Sequence, residues 1–226
     1  VTKAFGGAEA PQQANDNRAF QEKPEDDNGP AHLRWPDLFA YGAMAFPLAF
    51  AGLPIYLHAP DFYAVTMEQS VTLLGTVLLV LRLVDAVQDP IIGSLSDHFH
   101  SSRATILALG AVLLGVGFWM LFHPVSSLTL VWFAASVLIC TTGFSVVSIN
   151  FQALGGLWRT RSADRTGVTA SREAFGLVGL LVAAVAPPVL MHLSGPQDAF
   201  HWLAISYLPL LALAYWLLVR WMHKAP

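Results

Sequence analysis

Four ionisable side chains and an amide sit together in the apolar run RLVDAVQDPIIGSLSD, residues 82–97. Asp85 and Asp89 are spaced i, i+4, so a helix puts them on one face. Arg82 lies one turn from Asp85 on nearly the same face. Two carboxylates a turn apart can bind a small cation or share a proton. Gln88 adds a carbonyl suited to Na+, although it lies off the Asp85–Asp89 axis, and Arg82 offers a compensating charge. The same groups can instead form a structural ion-pair network between helices. In hydrocarbon either arrangement must face a bundle interior or a water-filled cavity, because an ionisable group in lipid is expensive. Pro90 removes an amide donor and is expected to bend the helix. Asp97 ends the run, where it can cap the next helix, pair with Arg103 as a latch, or stay solvated.

These residues need membrane-spanning helices to hold them. Of the 226 residues 55% are hydrophobic and 12% are charged, roughly half the charged fraction of a soluble domain. The mean hydropathy is +0.54. Six apolar segments approach the ~20 residues that a bilayer requires: 37–57, 71–95, 104–122, 128–155, 175–192 and 200–220. Pro47 and Pro54 inside the first predict kinks rather than breaks, since neighbouring helices can satisfy freed backbone groups. Residues 1–36 are polar, rich in Pro, Gly, Asn and Gln, and lack the apolar core of a signal peptide; they read as a disordered tail. The expected organisation is a tail over 1–36, a six-helix bundle over 37–220 and a short tail over 221–226.

Lys and Arg set the expected topology. The connections around 58–69, 123–127 and 193–199 contain neither, whereas Arg34, Arg103, Arg159, Arg161, Arg165, Arg172, Arg220 and Lys224 fall on the other side. The positive-inside rule then places both termini in the cytoplasm, and an even number of spans demands the same. Gly110, Gly115 and Gly117 allow close helix contact. Cys140 is the single cysteine, which excludes an internal disulfide, and the histidines match no compact zinc spacing. No nucleophile or metal constellation supports an enzyme, and no tightly bound cofactor or nucleic-acid partner is expected.

The run 82–97 resembles the helix 2 signature of the glycoside–pentoside–hexuronide:cation symporters, the melibiose carrier's family within the major facilitator superfamily. Arg82, Asp85, Ala86, Asp89, Pro90, Gly93 and Asp97 carry the match. The resemblance implies that Asp85 and Asp89 form a site for Na+, Li+ or H+. Gly93 and Asp97 are similar to the general facilitator loop motif, with His98 in place of its usual arginine and Arg103 supplying the firm positive charge. A second run, ADRTGVTASREAFGLVG, is similar to the family pattern between helices 4 and 5 through Asp164, Arg165, Thr166, Val168 and Arg172. By that likeness Arg172 reaches the central cavity to bind substrate and Arg165 helps hold the cytoplasmic gate. From chemistry alone Arg172 can also be an interfacial, snorkelling residue.

In SVVSINFQALGGLW, Asn150 stands where the family often has an aspartate, with Gln152 and Leu154 after it in place of proline and an aromatic residue. Asn150 keeps hydrogen-bonding capacity without charge. In the first span, YGAMAFPLAFAGLPIYL (residues 41–57) has no acidic or amide residue, where sugar-transporting members commonly present one. Ion chemistry is thus retained while sugar chemistry is reduced, and the substrate stays open. The fold implied is all-α and integral to the membrane: six transmembrane helices, one half of a twelve-helix facilitator. Two functions follow: half of a Na+- or H+-coupled secondary transporter with Asp85, Asp89, Gln88 and Arg82 at the ion site and Arg172 and Asn150 facing substrate, or a non-transporting subunit of a larger membrane complex. Expected partners are membrane lipids with a second six-helix half, a second copy of the chain, or that complex. The expected location is a bacterial inner membrane.

Overall fold

Proline sets the course of the first span. The structure, a computed structural model, describes residues 34–98, 102–157, 162–195 and 198–223. The tail 1–33 and Arg159, Arg161 and Lys224 lie outside the described residues. Helix α1 (Trp35–Gly42) gives way to α2 (Ala45–Leu53) because Pro47 has no N–H for the Ala43 carbonyl, which takes the Phe46 N–H at 3.3 Å instead. Pro54 opens a five-residue π turn, Pro54–His58, closed by the Ala59 N–H on the Pro54 carbonyl. Helix α3 (Ala59–Val65) completes the span, which therefore runs eight residues beyond the expected end at Leu57.

Five further spans follow: α4 (Val71–His98), α5 (Arg103–Leu121), α6 (Thr129–Leu157), α7 (Ser162–Ser194) and α8 (Ala199–Met222). All six are long and apolar enough to cross a membrane, and the described residues contain no strand. Helix α4 continues through Pro90, α7 through Pro187 and Pro188, and α8 through Pro209. The largest departure from expectation is at α7. It begins at Ser162 rather than near Phe175, so Arg165 and Arg172 stand on helix instead of loop.

Alternating directions gather Arg34, Arg103, Arg165, Arg172 and Arg220 at one end of the bundle, here called the basic end. Hydrogen bonds between helices tie that end together. Ser171 Oγ donates to the Leu38 carbonyl at 2.6 Å, Tyr215 Oη to the Ala104 carbonyl at 3.1 Å, and Ser96 Oγ to Asn150 Oδ1. At the opposite end the rings of His123 and His201 link α5 to α8, Nε2 to Nδ1, at 2.8 Å.

Lipid is as apolar as leucine, so close packing rather than water exclusion must hold these helices together. Phe50, Phe118 and Tyr207 stack between α2, α5 and α8, with centroids 4.1–6.5 Å apart, and Tyr207 Oη donates to the Pro47 carbonyl at 3.1 Å. Phe62, Phe122 and Phe200 form a second cluster. Backbone meets backbone where glycine allows it. A Cβ on Gly143 of α6 would strike the Leu114 amide of α5, and one on Gly117 of α5 would reach Cys140. The first span is the most buried of the six, and α4 and α7 are the least.

Candidate ion and substrate site

Asp85 is the fifteenth of the 28 residues of α4, about 20 Å from either end at 1.5 Å per residue. It is only 8% exposed, and its Oδ1 is buried with no hydrogen-bond partner. The Thr141 hydroxyl of α6 faces the carboxyl and also approaches the Leu138 carbonyl at 3.3 Å. One turn on, Thr142 Oγ1 meets Gln88 Oε1 at 3.4 Å, a long contact, while Gln88 Nε2 is buried without a partner. Asp89 turns to the exposed side of α4 yet still acts on Asp85 through its charge.

Arg82 is not ion-paired to either carboxylate. Its guanidinium lies over the Tyr56 ring, 3.9 Å from the centroid. Tyr56 belongs to the π turn of the first span, a feature frequent at functional sites because it re-aims side chains. Arg82, Asp85, Gln88 and Asp89 thus come together with Tyr56, Thr141 and Thr142 where α4, α6 and the first span meet. Asp85, Thr141 and Gln88 present oxygens of the kind that a hard cation takes as ligands, and the carboxyl alone can take up a proton. The site fits Na+ or H+ by that chemistry. Among the described residues no group of three or more His, Cys, Asp or Glu side chains could hold a metal ion of the tightly liganded kind.

Thr141 and Thr142 were missed by sequence reasoning. Two adjacent threonines near the middle of α6 were the available signal. A Tyr56→Leu exchange is expected to release Arg82 and cost about 0.5–1 kcal/mol. Tyr56→Phe keeps the ring face and should keep the stability, which thermal unfolding in detergent will show.

Asn150 lies apart from this site, buried between α4 and α6. It is fully buried, accepts from Ser96 of α4 and donates Nδ2 to the Val146 carbonyl at 2.8 Å. It lies nine residues beyond Thr141 on α6, about 14 Å towards the basic end. Its role is to clamp α6 to α4. Asn150→Ala is expected to cost about 1 kcal/mol, in keeping with interhelical hydrogen bonds in membranes, and to lower the unfolding temperature without altering cation binding.

Arg172 is also remote from the carboxylates. It sits level with Tyr41 and Gln152 near the basic end, and its Nε and Nη2 donate to Glu173 Oε1 at 3.1 and 2.7 Å. Arg165 shares that cavity with Arg172. Of the other gate residues, Gly93 lies within α4 with open space beside it, and Asp97 is exposed on the last turn. Arg103 opens α5 with Nε and Nη1 buried and without hydrogen-bond partners. The structure places the gate residues at one end but in two groups, α4–α5 and α7.

Residues 38–226 match the family described as MFS/sugar transport protein. The chain belongs to that family. It is an integral membrane protein of a transporter family, not an enzyme. A Bacillus subtilis (strain 168) protein named "Uncharacterized symporter YjmB" is 30% identical over 135 residues, 56% of this chain and 29% of that protein. The "Isoprimeverose transporter" of Lactiplantibacillus pentosus is 24% identical over 183 residues, 76% of this chain and 38% of that protein. The chain thus spans under two fifths of these relatives' length. Both relatives carry transporter names, so family membership lends nothing to the accessory-subunit reading.

Proposed function

We propose that the chain supplies six helices of a cation-coupled symporter in a bacterial inner membrane, with both termini in the cytoplasm. Asp85 binds the coupling ion, Na+ or H+, with Asp89 and Gln88 beside it and Thr141 completing the donor set. Arg172 contacts the substrate from the basic end, and Gly93, Asp97, Arg103 and Arg165 close that end against the cytoplasm.

One observation carries this reading: a carboxyl buried at mid-span with an unsatisfied oxygen, whose neighbouring guanidinium lies on an aromatic ring and acts on it only through its charge, without an ion pair. A structural ion pair would use that guanidinium. A cation or proton site leaves the oxygen free for its ligand. Asp89 and Arg82 on the exposed side of α4 add a second requirement, because charges are not left facing hydrocarbon. A further six-helix body facing α4 and α7, either a second half or a second copy, would enclose them in a polar cavity.

The test is uptake of labelled sugars, isoprimeverose among them, into membrane vesicles containing the protein with whatever chain copurifies in mild detergent. Na+ or H+ gradients should drive accumulation. Uptake that only equilibrates and ignores both gradients in the intact assembly would refute the coupled reading.

A further inference from the structure

The cavity between α6 and α7 at the basic end has an unusual balance of donors and acceptors. It measures about 240 Å³ and is lined by Tyr41, Gln152, Arg165, Thr169 and Arg172, with Val168 and the bare backbone of Gly155 and Gly156. Arg165, Thr169 and Arg172 are spaced i, i+4, i+7, one face of α7. The two guanidinium-bearing residues are about 10 Å apart along the axis, close enough for their long side chains to converge on one group. Among the described residues no carboxylate lines the cavity. Glu173 takes Nε and Nη2 of Arg172 but sits outside the lining and is exposed, leaving Nη1 unengaged. Gln152 spends one amide hydrogen on Ser148 Oγ at 2.9 Å and retains another. Tyr41 Oη donates to the Phe151 carbonyl at 3.2 Å, so its hydrogen is already engaged.

We infer that this cavity is a binding site for an anionic group, a carboxylate or a phosphate, held between Arg165 and Arg172 with Thr169 and Gln152 donating to its remaining oxygens. Guanidinium forks match planar carboxylate and phosphate oxygens, and a partly enclosed site strengthens each charged hydrogen bond. Gly156 has open space where a Cβ would sit, whereas Gly155 is packed against the Tyr41 hydroxyl, and the volume admits a solute of monosaccharide size. The inference deepens the symporter reading by giving the substrate-facing arginine an acidic ligand. It removes Arg165 from a purely gating role. The anion reaches the site either as a free acidic solute or as the headgroup of an acidic phospholipid lying against α7.

Calorimetric titration of the purified full chain separates these sources. In lipid-free detergent, inorganic phosphate and glucuronate are the probes, and glucose is the uncharged control of similar size. In nanodiscs, phosphatidylglycerol is compared with phosphatidylcholine by native mass spectrometry. Saturable binding of either soluble anion but not glucose, weakened at least tenfold by Arg165→Gln and partly restored in Arg165→Lys, supports a free-solute site. Selective retention of phosphatidylglycerol, lost in Arg165→Gln but kept in Arg220→Gln, supports a headgroup site. Absence of both, or binding that ignores Arg165→Gln and Arg172→Gln, overturns the inference. Arg165 is exposed, so its variants should fold, and a size-exclusion profile checks this. The titrations are run in Na+-free buffer at fixed pH, so loss of ion coupling and loss of the anion site are read separately.

Discussion

Asp85→Asn is expected to uncouple substrate movement from the cation gradient. The amide keeps the size of the side chain and its contact with Thr141 but removes the charge and the titratable proton. Cation stimulation of substrate affinity should fall by about 5–150-fold, the usual span of a coupling free energy between two sites. Equilibrating exchange should persist, because Arg172 and the basic-end cavity lie well away from the carboxyl. Asp89→Asn should act in the same direction with a smaller effect. Asp89 is exposed and touches the site only through its charge, whereas Asp85 presents a buried oxygen without a partner. Gradient-driven uptake compared with counterflow in the same vesicles distinguishes lost coupling from lost binding. Equal accumulation by wild type and Asp85→Asn would remove the carboxyl from the mechanism.

Gly143→Leu should cause the largest loss of stability. Helices α5 and α6 touch through backbone at this point: a Cβ on Gly143 would collide with the Leu114 amide and come within 2.7 Å of the Gly110 carbonyl. Neither is a flexible side chain that can swing away, so the helices must separate. Overpacking of a close-packed core typically costs about 1–3 kcal/mol, and a backbone collision belongs at or above the top of that range. The separation would also move Thr142 and Thr141, one and two residues away, from α4. Unfolding temperature and monodisperse yield in detergent report the effect. Gly75→Ala is the control: Gly75 lies in α4 with open space beside it, and alanine in a helix is expected to be neutral or stabilising by about 0.5–1 kcal/mol. Similar losses for both variants would mean that close α5–α6 contact does not hold the bundle.

The six spans were legible because membrane helices announce themselves by length and apolarity, and the charged face of α4 because i, i+4 spacing is local. What escaped depends on distant partners. Nothing around Asn150 indicates that Ser96, 54 residues earlier, will meet it; its substrate-facing reading came from the resemblance alone. Tyr56 and Arg82 are brought together by a π turn that the sequence marks only as another proline. The start of α7 was missed because SADRTGVTASRE is polar, and a hydropathy window ends a helix where polar residues begin, though the backbone continues for three more turns. Recognising those turns as helix is what aligns Arg165, Thr169 and Arg172. The His123–His201 contact joins residues 78 apart and was unreadable from spacing.

The most direct test of the central claim is infrared difference spectroscopy of the purified protein in lipid, comparing Na+-loaded with Na+-free samples and high with low pH. The account predicts a carboxyl or carboxylate band that changes on Na+ binding or protonation, saturates, and disappears in Asp85→Asn while surviving in Asn150→Ala. A difference spectrum that is the same in wild type and Asp85→Asn would contradict it, and Asp85 would then be a buried structural group rather than the coupling site.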